Sequence, residues 1–196
     1  ELKDYLSKKI KIGTFQRDSE GSDLLKAKWQ KGPDNIIEWV DRSSLKNDIV
    51  FFILGPRRHY IVNELKSRNI EFVYFGNINH ITKLADDITF NSYKEEVIYN
   101  FYHEVDAYLV GSRLEGGPKS LIECALTNSP VLTTDVGLSS HFVHKEYIKD
   151  NIDSEDFDSF IKDVKMKKYK KIVNFPNLDY NLSVLNELIN ENKYLL

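Results

Sequence analysis

Ile49-Val50-Phe51-Phe52-Ile53-Leu54 is a run of six apolar residues, stopped by Gly55-Pro56. Six residues is strand length, and its β-branched and aromatic side chains favour that state. Apolar side chains at odd and even positions alike mean that both faces of the strand are buried, as in a parallel sheet covered by helices. Tyr60, Ile61 and Leu65 follow at helical spacing. The same alternation runs outward from this point in both directions. Upstream, Lys9-Ile10-Lys11-Ile12-Gly13 reads as a strand, and Gly32-Pro33-Asp34 opens a helix carrying Ile36, Ile37, Trp39 and Val40. Downstream come a strand over Glu71–Phe75, a helix over Tyr93–His103 and a strand over Val105–Val110. A helix over Pro118–Asn128 and a short strand over Val131–Thr134 complete the series. Such repetition implies parallel strands joined by right-handed crossovers. The expected fold is α/β, a Rossmann-like doubly wound sheet with helices on both faces. Residues 1–150 read as this domain, and 151–196 as a helical extension packed on it, with helices over 154–171 and 178–196.

Composition narrows the function classes. Hydrophobic residues make up 41% of the 196 and charged residues 29%, a globular balance. Lysine and arginine total 27 against 30 acidic residues, a net charge of −3. No global positive field exists to gather nucleic acid. The single cysteine, Cys124, excludes an internal disulfide framework and reads as a core residue in a reducing compartment. The five histidines offer no metal-ligand spacing, so no metal is expected. The apolar runs are far shorter than the ~18–20 residues of a membrane span. The opening Glu1-Leu2-Lys3-Asp4 shows neither initiator Met nor signal pattern, so the chain reads as a soluble, cytoplasmic piece of something longer. Six lysines between Lys162 and Lys171 read as a solvated helix face, with contact to an acidic membrane surface as the sharper alternative.

In open parallel sheets, ligands bind beyond the carboxyl ends of the strands. One of those ends carries Gly111-Ser112-Arg113-Leu114-Glu115-Gly116-Gly117-Pro118-Lys119-Ser120-Leu121-Ile122-Glu123. A strand end, a glycine pair and a helix start place free backbone N–H groups there, and a helix N-terminus suits a phosphate. Two carboxylates bracket it, Glu115 on the loop and Glu123 in the helix. Acceptor-only groups on either side of an anion site suit neutral hydroxyls, such as those of a ribose and a sugar. A surface ion pair between Glu123 and Lys119 is the plainer alternative.

The Glu-Gly-Gly-Pro-x4-Glu segment resembles the Glu-x7-Glu signature of retaining glycosyltransferases of the GT-B fold, the group 1 (family 4) set. Both flanks agree: Tyr108-Leu109-Val110-Gly111-Ser112 precedes it, and Ser129-Pro130-Val131-Leu132-Thr133-Thr134-Asp135-Val136-Gly137 follows. The resemblance covers about Lys9 to Val143 and corresponds to the C-terminal, donor-nucleotide half of such enzymes. It implies that Glu115 contacts the donor sugar, that Glu123 holds the ribose, and that the backbone at Gly117, Pro118 and Lys119 faces the diphosphate, with Pro118 offering only its carbonyl and Gly116 part of the same nucleotide-sugar site. It also assigns Arg17 and Lys31 to the diphosphate, with Lys26 or Lys28 able to replace Lys31 because the gap after Arg17 is long. Phe75-Gly76-Asn77 would lie near the base, and Arg57 could reach phosphate or stay on the surface.

The resemblance implies transfer of a hexose, with retention, from a nucleotide diphosphate sugar to a hydroxyl acceptor in polysaccharide or glycolipid synthesis. No cofactor is implied beyond that donor substrate. The glycan or lipid-linked acceptor would be held by an N-terminal domain absent from this chain, which alone would transfer little or no sugar. A nucleotide-sugar epimerase of the same fold and a non-catalytic nucleotide binder are the alternatives.

Overall fold

A computed structural model of the chain describes residues 2–171. After a short helix α1 (Leu2–Leu6), strand β1 (Ile10–Thr14) leads through a long loop and a 3-10 turn (Trp29–Lys31) into α2 (Pro33–Asp41). Then follow β2 (Ile49–Leu54), α3 (His59–Ser67), β3 (Phe72–Phe75), α4 (Ile78–Thr82) and α5 (Glu95–Glu104). The second half runs β4 (Ala107–Val110), α6 (Lys119–Thr127), β5 (Val131–Thr134), α7 (Ser139–Phe142), β6 (Ile148–Lys149) and α8 (Ser154–Lys165). The six strands of the described residues are all parallel, in the order β3-β2-β1-β4-β5-β6. That is the order of a Rossmann-like fold, and its direction of winding reverses between β1 and β4.

The apolar run over β2 sits in the middle of one half of the sheet, every residue buried. The hydrophobic faces of α2, α3 and α6 close over the strands, through Ile36, Ile37 and Val40, Ile61 and Leu65, and Leu121 and Cys124. Cys124 is a core residue, and burial pushes its thiol well above the ordinary value. Phe157, Phe160 and Ile161 of α8 enter the same core, so the 3.6-residue spacing of that helix is answered by packing. Asp153 caps it by accepting from the N–H groups of Glu155 and Asp156 at 2.9 and 2.8 Å.

The elements differ from the sequence reading mainly at their ends. β4 starts two residues late; just before it, the Asp106 N–H donates to the Lys11 carbonyl and the Asp106 carboxylate accepts from the Lys11 N–H, both at 2.8 Å. Pro118 is the cap of α6 rather than its first helical residue. β6, two residues long, has no counterpart in the sequence reading. The helix expected over 178–196 lies outside the described residues. Among the described residues, no helix is long and apolar enough to cross a membrane. Lys165 and Lys170, from the lysine cluster, are engaged with Asp48 and Glu146.

Candidate functional site

A cleft of about 580 Å³ opens at the point where the sheet reverses its winding. The residues after β1, Phe15, Gln16 and Arg17, form one wall, and Lys119, Ser120 and Glu123 of α6 form the facing one. Tyr102 and Tyr108 line it as well, with Tyr108 on β4. Pro56, Ile88, Ser92 and Ile98 make the remaining side, continuous with a small recess of about 140 Å³ under Gly55 and Tyr93. Lys28 and Lys31 project from the loop before α2. The lining therefore carries four cations, Arg17, Lys28, Lys31 and Lys119, against one carboxylate, Glu123. In a chain of net charge −3 this is a local concentration of positive charge, and a concave cationic site attracts anions.

Two backbone contacts bring the loops to this place. Gly32 has φ +53°, and a Cβ on it would lie 1.9 Å from the carbonyl oxygen of Gly111 at the end of β4. The Lys31 turn is thereby pressed against the strand end. Gly137, at φ +52°, lies so close to the backbone of Glu115 and Gly116 that a Cβ would fall 2.4 Å from the Gly116 oxygen. The turn after β5 thus braces the Glu115 loop. Gly116 itself faces open space, with no atom within 4 Å of a Cβ position.

The side chains are linked as well. Lys31 Nζ lies 2.6 Å from Glu115 Oε2, and Ser112 Oγ donates to the other oxygen of the same carboxylate. Gln16 Nε2 donates to Ser120 Oγ at 2.8 Å, tying the β1 end to the first turn of α6. Tyr102 OH donates to Glu123 Oε2 at 2.8 Å, while Lys119 Nζ stands 3.7 Å from Glu123 Oε1 and 2.6 Å from Glu95. Arg17 and Lys28 have no ion-pair partner among the described residues.

Of the residues singled out from sequence, Arg17, Lys31, Lys119 and Glu123 line one cleft, and Glu115 joins it through Lys31. Lys28 lines it too, whereas Lys26 does not. Gly116, Gly117 and Pro118 are not among its lining residues, and the Pro118 carbonyl is occupied by the Leu121 N–H at 3.0 Å. Phe75, Gly76 and Asn77 are also outside the lining. The Asn77 side chain instead caps α4 by accepting from the Asn79 N–H at 3.0 Å. Arg57 pairs with Asp86 at 2.7 Å on the surface.

The sequence reading missed Arg58, which is fully buried, 2.9 Å from Asp18, and donates to the Thr14 carbonyl at 2.8 Å. Asp18 in turn accepts from Ser19 Oγ and the Ile61 N–H. Burial pushes its carboxyl up to about 6, with Arg58 pulling in the opposite direction. This pair anchors the residue next to Arg17. Gln16, Ser112, Ser120 and Tyr102 were missed too, since single polar residues inside strand ends and helices carry no pattern. Among the described residues, no group of three or more His, Cys, Asp or Glu could hold a metal ion. His59 is buried, with Nε2 3.0 Å from the Ala85 carbonyl.

Comparison with known proteins bears on the fold. No curated protein sequence matches the chain. The catalytic domain of cholesterol-alpha-glucosyltransferase from Helicobacter pylori is similar in structure, with TM-score 0.59 and 12% identity over 81% of this chain and 90% of that one. HepE of Anabaena, in complex with UDP and glucose, gives TM-score 0.66 at 13% identity, over 100% of this chain and 51% of HepE. Trehalose-6-phosphate synthase, in a study of glycosyltransfer with retention, gives TM-score 0.56 at 12% identity, over 84% of this chain and 39% of that one. The chain thus spans about half the length of HepE and less of the synthase. The sequence family described as glycosyl transferases group 1 matches residues 26–170, most of the described chain. This protein belongs to the group 1 glycosyltransferases, and its sheet is a Rossmann-like half of their GT-B fold.

Proposed function

We propose that this chain is the donor-binding half of a hexosyltransferase that takes a nucleotide diphosphate sugar and passes its hexose, with retention, to a hydroxyl acceptor in polysaccharide or glycolipid synthesis. The observation that carries the reading is the cleft at the sheet's reversal point, with four cations and one carboxylate in its lining and Glu115 beside it. In this reading Arg17, Lys31 and Lys119, with Lys28 beside them, meet the diphosphate. Glu115 accepts from sugar hydroxyls and Glu123 from the ribose. The backbone at Gly116 and Gly117 faces the phosphates from the open side of the loop, with Pro118 fixing the start of α6. The nucleobase lies against Pro56, Ile88, Ser92 and Ile98 rather than against Gly76-Asn77.

Negative charge grows on the diphosphate as its bond to the anomeric carbon breaks, and fixed cations stabilise that charge most in the transition state. Side chains rather than a metal supply the positive charge in this reading. HepE was solved with UDP-glucose as well as with UDP and glucose, which makes a uridine donor the first to test. The retention named for trehalose-6-phosphate synthase supports the same stereochemistry here. The acceptor is held by a second half, without which little or no sugar is transferred. We place the reaction in the cytoplasm, with Lys162–Lys171 available to an acidic membrane surface.

Calorimetric titration with UDP, GDP, ADP and their hexose conjugates tests the reading. One diphosphate should bind saturably, and Glu123→Ala should weaken it by about tenfold or more. Absence of binding by any of them to the folded protein would overturn it.

A further inference from the structure

The Lys31–Glu115 ion pair occupies the site in a way that bears on which ligands it accepts. Lys31 belongs to the cationic lining, yet its ammonium lies 2.6 Å from the Glu115 carboxylate. Arg17 and Lys28, by contrast, are without ion-pair partners among the described residues. Glu115 is mostly buried, its side chain 11% exposed, and Ser112 Oγ holds its second oxygen. The backbone that carries each partner is held: the Lys31 turn by Gly32 against Gly111, and the Glu115 loop by Gly137. A diphosphate that recruits Lys31 must therefore take it from Glu115.

The consequence depends on what else the ligand brings. A bare nucleoside diphosphate takes the ammonium and leaves a mostly buried carboxylate with one hydroxyl donor, which is unfavourable. A ligand with hydroxyl groups beside the β-phosphate restores donors to that carboxylate. We propose, on the donor-site reading above, that the Lys31–Glu115 pair is a specificity determinant that favours the intact nucleotide sugar over the spent nucleoside diphosphate. Glu115 competes with the phosphates for Lys31 until a sugar relieves it, and it competes again once the sugar has left. The same pair that admits the donor thus helps to expel the by-product.

Titration of wild-type, Glu115→Gln and Ser112→Ala proteins with UDP and with UDP-glucose tests this, followed by the guanosine and adenosine pairs. Glutamine keeps the shape of the side chain but frees Lys31. Glu115→Gln should tighten UDP about fivefold while weakening UDP-glucose, whose hydroxyls lose the carboxylate. Ser112→Ala removes the other donor to Glu115 and makes the carboxylate more dependent on Lys31. It should weaken UDP more than UDP-glucose, moving the affinity ratio in the opposite direction. Equal loss of UDP and UDP-glucose in Glu115→Gln, or an unchanged ratio in both variants, overturns the proposal while leaving the donor site standing. A wild-type protein that binds no member of any pair overturns the donor reading, and this inference with it.

Discussion

A Cβ on Gly32 would sit 1.9 Å from the Gly111 carbonyl oxygen, and one on Gly111 would sit 2.6 Å from the Gly32 oxygen. The two glycines, 79 positions apart in the chain, form a contact between backbones with no room for a side chain on either. It joins the end of β4 to the turn that carries Lys31, so a structural requirement of the sheet edge also positions a cation of the cleft.

Gly32→Ala is expected to disturb both. The left-handed backbone there is unfavourable for alanine, and the methyl meets a backbone atom that cannot rotate aside. Stability should fall by ~2–4 kcal/mol, with the loss of a cleft contact on top. Chemical denaturation and nucleotide titration of the same variant would measure the two. Wild-type stability in Gly32→Ala would show that the turn does not lie against β4.

The buried Asp18–Arg58 pair supports a second expectation. Arg58→Met leaves Asp18 buried without its counter-ion, and such losses cost ~3–5 kcal/mol. The sign of the pH dependence follows from Asp18. Its folded value, about 6, lies above the ordinary 3.8, so its contribution is full below 3.8 and is lost as pH rises through 6. Removing Arg58 raises that value further and extends the loss to higher pH. The stability gap between Arg58→Met and wild type should therefore widen from about pH 5 to about pH 8. Asp18→Asn in the Arg58→Met background should flatten it. A gap that is constant with pH would show that Asp18 is not the group left uncompensated.

Why some of this could be read from sequence and some could not is visible at particular residues. β2 announces itself because both of its faces are buried, and the helices around it because their apolar residues recur every three to four positions. Glu115 and Glu123 stand out in the sequence because a loop and a helix start leave a local pattern around them. Arg57 and Arg58 show the limit. The adjacent arginines look equivalent in sequence, yet one has φ +55° and pairs with Asp86 near the surface while the other is fully buried against Asp18, 40 positions away. Pairings such as Lys31 with Glu115 depend on which strands become neighbours. The wall of Ile88, Ser92 and Ile98 follows β3 by a dozen residues or more with no periodic signal, whereas the expectation for Phe75-Gly76-Asn77 came from the family resemblance.

A third prediction concerns how α8 is held. Asp158 accepts from the Ser43 and Ser44 hydroxyls and from the Ser44 N–H at 3.2 Å. Partial burial works against its charge, but these hydrogen bonds outweigh burial and hold the carboxyl below its ordinary value. Its contribution is thus present above the ordinary 3.8 and is lost as pH falls through the lower folded value. Asp158→Asn should lower Tm by ~2–4 °C at neutral pH, and the difference should shrink below about pH 4. A difference that persists unchanged in acid would mean that the charge of Asp158 is not what the serines recognise.

The last prediction separates the two groups that touch Glu123. Tyr102 OH donates to Oε2 at 2.8 Å from a side chain only 1% exposed, whereas Lys119 is 3.7 Å from Oε1, largely exposed, and shared with Glu95. Burial pushes the Tyr102 phenol far above its ordinary value, so it remains a proton donor throughout the working pH range. Its ring is fixed between Phe15 and Tyr108, with centroids 5.0 Å from each. A rigid, dry donor orients a carboxylate better than a mobile, solvated ammonium. Tyr102→Phe keeps the packing and removes only the hydroxyl, and should weaken nucleoside diphosphate binding ~3–10-fold through loss of Glu123 orientation. Glu123→Gln combined with Tyr102→Phe should then be less than additive, because the hydroxyl acts through that carboxylate. Lys119→Ala should be additive with Tyr102→Phe, since on the proposed donor reading its loss removes a cation that meets the phosphates. If Tyr102→Phe binds as wild type does, Glu123 is held by its own helix and Tyr102 only fills space beneath it.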